Sequence, residues 1–267
     1  MLTDFGTADY YVAAVKGVLL RLAPGATVVD VSHEVAAGDV EGGAWLLGAA
    51  WRWFPEGTVH LAVVDPGVGS ERRILAARVG GHAFVAPDNG LLTPVLGREG
   101  AEVRAVERSE LFLPGPGATF HGRDRFAPVA AYLARGEELA GLGPAVEDAV
   151  RLALPVSRSE GEPPRPDAAG AVLRGRVMHV DRFGNLVTDV PGEWLGDGPL
   201  RVEVGGHATE LRVTHYGEIP EGDAAALIGS LGTLELSARD ESLAQRWRVA
   251  RGATVAVELS AKRARGG

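Results

Sequence analysis

Three loops that contain glycine carry side chains able to do chemistry on a small ligand. The first, Asp4-Phe5-Gly6-Thr7-Ala8-Asp9, separates a short opening strand from a predicted helix. Its two carboxylates suit the hydroxyls of a ribose or an ammonium group, because both kinds of ligand donate hydrogen bonds. The alternative is that one carboxylate caps the helix. This loop alone leaves both interpretations open.

The second loop begins at Asp65, which ends an apolar strand and is followed by Pro66-Gly67-Val68-Gly69. Proline and glycine predict a sharp turn, which returns Arg72 or Arg73 towards the aspartate. An aspartate held against an arginine stays ionised in one rotamer, as a group that positions water must. An ordinary loop salt bridge is the alternative.

The third loop contains His121, which is followed by Gly122 and a charged pair at the predicted start of a helix. A histidine in this position can titrate near neutral pH and exchange protons with water. His33 is the nearest rival among the seven histidines, and packing or local hydrogen bonding is the favoured interpretation for it.

The second half of the chain offers one candidate, Asp181-Arg182-Phe183-Gly184-Asn185. Phe183 has an aromatic face and Asn185 has a donor and an acceptor, a combination that suits a purine ring. A plain hairpin turn is the alternative, because glycine and asparagine favour one.

Composition excludes several classes of protein. The 267 residues include 27 basic and 35 acidic side chains, for a net charge of −8. Basic residues are scattered except near the C-terminus, and this distribution argues against a nucleic-acid surface. Cysteine is absent, so disulfides are excluded and a cytoplasmic location is expected. No apolar run reaches the ~18 residues of a membrane span, and the first residues lack the features of a signal peptide.

Metal sites and resident cofactors are not expected. No two histidines have the spacing of metal ligands, and the carboxylates lack the density of a calcium loop. The sequence also lacks a Gly-x-x-x-x-Gly-Lys-Ser/Thr phosphate loop and a Gly-x-Ser-x-Gly elbow.

The elements that must position these residues fall into two regions. Apolar β-branched runs alternate with helical stretches over residues 1–156, which predicts an α/β domain with a largely parallel layered sheet. Its strands are predicted at 27–31, 58–64, 74–79 and 82–86, and its helices at 10–22, 40–53 and 125–134.

Residues 157–169 are polar and rich in proline, which predicts a linker. Short alternating segments follow over 170–267, which is typical of a smaller antiparallel, barrel-like β domain. Its strands are predicted at 172–180, 186–190, 200–204, 210–213, 233–236 and 254–259.

Taken in chain order, these loops resemble one family along nearly the whole sequence. The matching segments are TDFGTADYYVAAVKG at 3–17, VVDVSHEV at 28–35, FPEGTVHLAVVDPGVGSERR at 54–73, APDNGLLT at 86–93, TFHGRDRFAP at 119–128 and HVDRFGNLVT at 179–188. They resemble the adenosylmethionine hydroxide adenosyltransferases, relatives of the fluorinating and chlorinating enzymes. The resemblance implies hydrolysis of S-adenosylmethionine to adenosine and methionine, with no cofactor.

The resemblance also implies which residues activate water, namely Asp65, Arg72 and His121. It prefers Arg72 to Arg73, because Arg72 falls seven residues after the aspartate as in the family motif. Halogenating relatives carry a tyrosine at the Asp65 position and lack this arginine, which disfavours a halide-using enzyme of the same fold. A sensor that binds adenosine or S-adenosylmethionine without turnover is the second alternative.

For substrate binding, the resemblance implies that Asp4 holds the ribose diol and Asp9 the methionine ammonium group. The other implied substrate-binding residues are Asp181, Phe183, Asn185, Tyr216 and Ser230. The fluorinating enzyme has an arginine where this chain has Leu231, so the group that holds the methionine carboxylate is left open. The resemblance implies a homotrimer with each site between two subunits.

Overall fold

In a computed structural model, the described residues are 1–114, 119–153 and 172–259. The chain divides into two compact units, Met1–Ser157 and Arg158–Gly267. The predicted linker at 157–169 lies outside the described residues, so the predicted domain bounds stay predictions.

The first unit is built on a five-stranded sheet in the order β1-β2-β4-β3-β5. The strands are β1 Leu2–Thr3, β2 Val59–Val63, β3 Ile74–Val79, β4 His82–Pro87 and β5 Glu102–Ala105. The pairs β1–β2 and β2–β4 are parallel, whereas β3 pairs antiparallel with both β4 and β5. The predicted α/β class is confirmed, and the sheet is mixed.

The antiparallel half has a local cause in the turn between β3 and β4. Val79 pairs with His82, so only Gly80 and Gly81 connect the two strands. Both glycines have positive φ, at 54° and 80°, as a tight hairpin requires. A two-residue connection can join only antiparallel strands, and this glycine pair is the signal that the prediction of a largely parallel sheet overlooked.

The strand predicted at 27–31 is wrong. This segment forms hydrogen bonds with the first residue, with Met1 N donating to Val29 O and Val31 N to Met1 O. Only one bridge forms, between Leu2 and Ser32, because β1 is two residues long and offers little to pair with.

Helices cover both faces of the sheet, which gives three layers. They are α1 Tyr11–Leu22, α2 Val40–Ala50, α3 Thr93–Leu96 and α4 Ala127–Ala134. Side chains of β2 and of the residue after it alternate between the two cores: Leu61 and Val63 pack with α1 and α4, and Ala62 and Val64 pack with α2. The predicted helix at 40–53 continues from α2 as a 3-10 turn, and α4 follows a π-helical turn at Gly122–Phe126.

The second unit is a seven-stranded antiparallel sheet in the order β10-β11-β7-β6-β12-β8-β9. The strands are β6 Val172–Val180, β7 Leu186–Pro191, β8 Leu200–Val204, β9 His207–Thr209, β10 Ala224–Ile228, β11 Thr233–Ala238 and β12 Thr254–Leu259. Helix α5, Leu243–Trp247, lies between β11 and β12 in the chain. Beyond β9, Ala226 N donates to Leu211 O and Val213 N to Ala226 O. This contact nearly closes the sheet, and the predicted barrel-like form is confirmed.

Two details of this unit differ from expectation. The strand predicted at 210–213 is wrong, because that segment makes one bridge, Arg212 with Ala226. The strand observed in this region, β9, ends just before it. Strand β10 was not predicted, because its sequence AAALI is rich in alanine, which has low strand propensity. Its burial between neighbouring segments overrides that propensity.

Candidate functional site

Asp4 and Asp65 emerge at the same edge of the first sheet. Strands β1 and β2 are parallel, with Leu2 opposite Ala62 and Thr3 opposite Val63. Carboxyl ends of parallel strands meet at one edge, so residues just beyond them become neighbours. Asp4 does not cap a helix there; its Oδ2 accepts a hydrogen bond from Gly38 N at 2.8 Å.

Asp65 and Arg72 form a buried bidentate ion pair. Arg72 Nε donates to Asp65 Oδ1 at 2.6 Å, Arg72 Nη2 donates to Oδ2, and the side chains are 10% and 5% exposed. Arg73 instead binds Asp88 and Asp148. The structure therefore pairs Arg72, and not Arg73, with Asp65. The pair holds the carboxylate in one orientation.

His121 is the third member of this cluster. Its Nδ1 lies 3.2 Å from Arg72 Nη2. A guanidinium can only donate, so Nδ1 accepts, and the neutral ring carries its hydrogen on Nε2. Burial, then repulsion from Arg125 and Arg72, lowers the pKa of His121. The ring is therefore neutral, and Nε2–H has no hydrogen-bond partner among the described residues.

Asp4, Asp65 and His121 line a cavity of about 540 Å³, whereas Arg72 supports the latter two from outside its lining. The lining residues are Asp4, Phe5, Tyr10, Tyr11, Val63, Asp65, Val68, Thr119, Phe120, His121, Gly122 and Arg123. Aromatic rings form one wall: Tyr10 lies 4.7 Å from Tyr11, and Tyr11 meets Phe120 edge to face at 5.2 Å between centroids. Such a wall suits an organic ligand better than a free ion.

Asp9 is not brought to this cavity. Its side chain is exposed, and it is absent from the described lining residues. The N-cap of α1 is Tyr10, with no side-chain hydrogen bond to the helix. Neither carboxylate of the loop therefore caps the helix, and the ammonium-binding role of Asp9 stays a prediction.

In the second unit, Asp181 organises the turn that holds the predicted purine site. Its Oδ1 accepts from Phe183 N and Asn185 N, and its Oδ2 accepts from Asn185 Nδ2, each at 2.9 Å. Ser237 Oγ donates to Asn185 Oδ1 at 2.6 Å. Asn185 is only 5% exposed, whereas Phe183 is 75% exposed. The structure shows a hydrogen-bonded turn that presents an aromatic ring to solvent, and the purine-binding role stays a prediction.

Tyr216 forms a hydrogen bond with Glu235, a residue that sequence reasoning missed. Its hydroxyl donates to Glu235 Oε1 at 2.7 Å, and Glu235 lies buried on β11. Burial raises the pKa of Glu235, and the nearby Asp181 adds to the effect. A charged residue in the otherwise uncharged strand TLELSA was the available signal. Ser230 is exposed at the turn between β10 and β11.

His33 belongs to a separate cluster. Its Nδ1 lies 2.8 Å from Thr3 Oγ1, and its Nε2 lies 3.0 Å from Asp30 Oδ1. The arrangement resembles a nucleophile, base and acid, but Thr3 is completely buried. A substrate cannot reach that hydroxyl, so the cluster supports β1, in agreement with the structural interpretation of His33.

Two absences among the described residues bear on other functions. No group of three or more His, Cys, Asp or Glu side chains in those ranges could hold a metal ion. No helix within them is long and apolar enough to cross a membrane.

Both units match one protein family. Residues 1–143 match the SAM hydroxide adenosyltransferase N-terminal domain, and residues 175–256 match the SAM hydroxide adenosyltransferase C-terminal domain. The first match contains Asp4, Asp65, Arg72 and His121, and the second contains the turn at Asp181.

Similar proteins carry related names. A protein of Thermus thermophilus named (R)-S-adenosyl-L-methionine hydrolase is 44% identical, over 88% of this chain and 89% of its own. One of Salinispora tropica with the same name is 43% identical, over 88% and 87%. A fluorinase of Actinoplanes is 31% identical, over 96% and 95%.

The fold is also found in solved structures. An uncharacterized conserved protein from Thermotoga maritima has a TM-score of 0.85 and 34% identity, over 96% of this chain and 98% of its own. The family matches in both units and the identities to the hydrolases agree with this fold. The chain belongs to the SAM hydroxide adenosyltransferase family.

Proposed function

We propose that this protein hydrolyses S-adenosylmethionine, with water attacking C5′ of the ribose to give adenosine and methionine. The observation that carries the proposal is the Asp65–Arg72–His121 cluster on the cavity, in a chain similar to two proteins named as hydrolases of this compound. Asp4 is suited to accept hydrogen bonds from the ribose hydroxyls, because its carboxylate is held at the same edge.

The reaction needs a positioned nucleophile more than an acid. The sulfonium leaves as a neutral thioether, so its departure needs no proton. In the proposed step, a water oxygen bonds to C5′ as the C5′–S bond breaks, and a water proton passes to Asp65 and then to solvent. His121 presents only a donor, so it orients the water oxygen while Asp65 accepts the proton.

The charge at this position favours water over halide. An anion bound in this part of the cavity would lie close to the buried Asp65 carboxylate, and like charges repel strongly at close range in a poorly solvated site. The fluorinase of Actinoplanes makes the comparison necessary. Incubation with S-adenosylmethionine and excess chloride or fluoride should yield adenosine, and a 5′-halogenated nucleoside as main product would contradict the proposal.

The names of the relatives support a finer proposal about the sulfonium centre. Both hydrolases are named for the (R) form of the substrate. We propose the same preference here, because in-line attack requires the correct placement of each sulfur substituent. The two sulfur epimers are to be supplied separately, with adenosine measured by chromatography. Equal rates for the epimers would disprove the preference, while leaving the hydrolysis proposal intact.

We further propose that the nucleoside is held by the second unit in a cytoplasmic homotrimer, with sites between subunits. Asn185 keeps one amide hydrogen beyond its bonds to Asp181, which is suited to a ring nitrogen of adenine, and the exposed Phe183 ring is suited to stack on it. The cytoplasmic location rests on the absence of cysteine.

The central experiment combines product analysis with one substitution. Wild-type protein should convert S-adenosylmethionine into adenosine and methionine, and Asp65→Asn should lower turnover by about 10²–10⁴-fold, the usual contribution of a general base. Arg73→Gln is a matched control, since Arg73 binds Asp88 and Asp148 instead. An Asp65→Asn variant that keeps more than about a tenth of the wild-type rate would remove Asp65 from the mechanism.

A further inference from the structure

One charged side chain at the cavity has no part in the chemistry proposed above. Arg123 follows His121 and Gly122 in the π-helical turn. It lines the cavity together with Asp4 and Asp65. Among the described residues of this lining, Arg123 is the only one with a permanently cationic side chain. An anionic group in the cavity would therefore find its partner here.

The Arg123 guanidinium is held in a fixed orientation. Its Nε and Nη2 donate to the two carboxylate oxygens of Asp124, at 2.6 and 2.8 Å. The guanidinium carbon also lies 4.9 Å from the centre of the Phe120 ring. Asp124 is buried, while 29% of the Arg123 side chain remains exposed. Much of the entropy cost of ordering an arginine is thus met before a ligand binds.

One edge of this guanidinium remains available. Asp124 occupies the edge formed by Nε and Nη2, and Nη1 donates to no described residue. The planar donors of arginine match a carboxylate, and hydrogen bonds between two charged groups are about twice as strong as neutral ones. The guanidinium therefore suits a carboxylate bound in the cavity that Arg123 lines.

We infer that Arg123 binds the α-carboxylate of the methionine moiety and makes the cavity selective for the intact amino acid. The inference rests on the proposed function for the identity of the ligand. Adenine and ribose are uncharged, and the sulfonium and ammonium groups are cationic, so the carboxylate is the only anionic group of S-adenosylmethionine.

The test compares S-adenosylmethionine with its decarboxylated analogue, which keeps the nucleoside, the sulfonium and the amine. KM and kcat are measured for both compounds, and binding is measured by calorimetry. The wild type should prefer the carboxylate compound by about 10- to 100-fold, as a hydrogen bond between charged groups provides. Arg123→Gln should reduce this preference to less than about threefold, through a higher KM for S-adenosylmethionine alone.

Two further variants control for folding. Arg123→Gln leaves the buried Asp124 without its cation, so the double variant Arg123→Gln/Asp124→Asn, which removes both charges, should show the same loss of preference. Arg104→Gln removes an arginine that pairs with Glu102 and does not line the cavity, and it should keep the wild-type preference.

The outcomes separate this inference from the proposed function. The inference would be overturned if the Arg123 variants lost affinity equally for both compounds. It would also be overturned if the wild type showed no preference between the compounds, or bound neither of them. Hydrolysis of both compounds with equal efficiency keeps the proposed function and removes the inference. Preferential binding of S-adenosylmethionine without adenosine formation would support Arg123 and refute hydrolysis.

Discussion

Arg72 Nη2 contacts both of the side chains to which the proposed mechanism gives a role in activating water. The nitrogen carries two hydrogens, so it can donate to Asp65 Oδ2 and His121 Nδ1 together. The first bond holds the carboxylate in one orientation, and the second selects the tautomer of the imidazole. The acceptor and the donor for water are therefore assigned by one arginine, and its loss would disturb both.

The donor role of His121 leads to a prediction on two variants. In His121→Gln, the amide oxygen can accept from Arg72 and the amide nitrogen can donate, so we expect turnover within about tenfold of the wild type. His121→Ala removes both functions and should lose about 10²-fold or more. Steady-state rates of both variants provide the measurement.

The pH profile checks the same assignment. The pKa of His121 is lowered, so the neutral donor persists below its ordinary range, and activity should decline only when the pH falls further and the ring is protonated. In His121→Gln this acid limb should disappear. A glutamine variant as inactive as the alanine variant would show that the imidazole accepts a proton after all.

Asn185 combines a structural and a binding role, which two substitutions can separate. Asn185→Ala removes bonds to Asp181 and Ser237, so we expect lower thermal stability together with a KM raised by about tenfold or more. Ser237→Ala removes only the structural bond and should lower stability with little change in KM. Equal effects of both variants on KM would argue against contact between Asn185 and adenine.

At the scale of elements, the pairing of β2 with β4 places a histidine pair inside the first unit. His60 stacks on Phe84 with 4.8 Å between ring centroids, and its Nε2 lies 3.2 Å from His82 Nδ1. Neither histidine lines the cavity. The pair contributes to packing between the strand layer and the Trp51 region, where Trp51 meets His82 edge to face.

Because of this histidine pair, we expect the free energy of unfolding to decrease in acid. Burial, and then His82 and the N-terminal ammonium group, lower the pKa of His60 from 6.5 to about 4. The folded state therefore binds fewer protons than the unfolded state between these values, so stability is full above about pH 6.5 and falls as the pH drops towards 4. After allowance for solvent screening, the loss is roughly 2 kcal/mol.

Urea unfolding at several pH values provides the measurement. The His60→Gln variant lacks the titrating group, so its free energy of unfolding should depend less on pH within this window, even if its stability at neutral pH is lower. An unchanged acid dependence would assign the effect to other groups.

For the whole molecule, the two sets of candidate residues lie in separate compact units. If the proposed site joins units of different subunits, two inactive variants should complement each other. In mixed trimers of Asp65→Asn and Asn185→Asp, some interfaces combine an intact first unit with an intact second unit. We expect hydrolysis above the average of the separately refolded variants.

Co-refolding followed by size measurement and assay tests this arrangement. Size analysis must confirm that mixed oligomers form, and each variant refolded alone is the control. Sites built within single chains would give no rescue, because every chain would carry one defective half.

The order of motifs and the local geometry of the loops follow from the sequence itself. Asp65 and Arg72 pair because a proline and glycine turn returns the chain over seven residues, and the same short range governs the turn at Asp181. Strands 172–180 and 254–259 were predicted with their observed bounds, because the residue types that favour strands are a local property of the sequence.

Only the tertiary structure decided the features that depend on distant residues. The contact of Arg72 with His121 spans 49 positions, and it assigns the imidazole tautomer. Glu235 was found as a candidate site residue only because the hydroxyl of Tyr216, a predicted binding residue, donates a hydrogen bond to it. Asp9 lies outside the cavity, although it belongs to the same loop as Asp4. Local patterns specify which segments form strands and turns, whereas the partners of each side chain depend on how those segments pack.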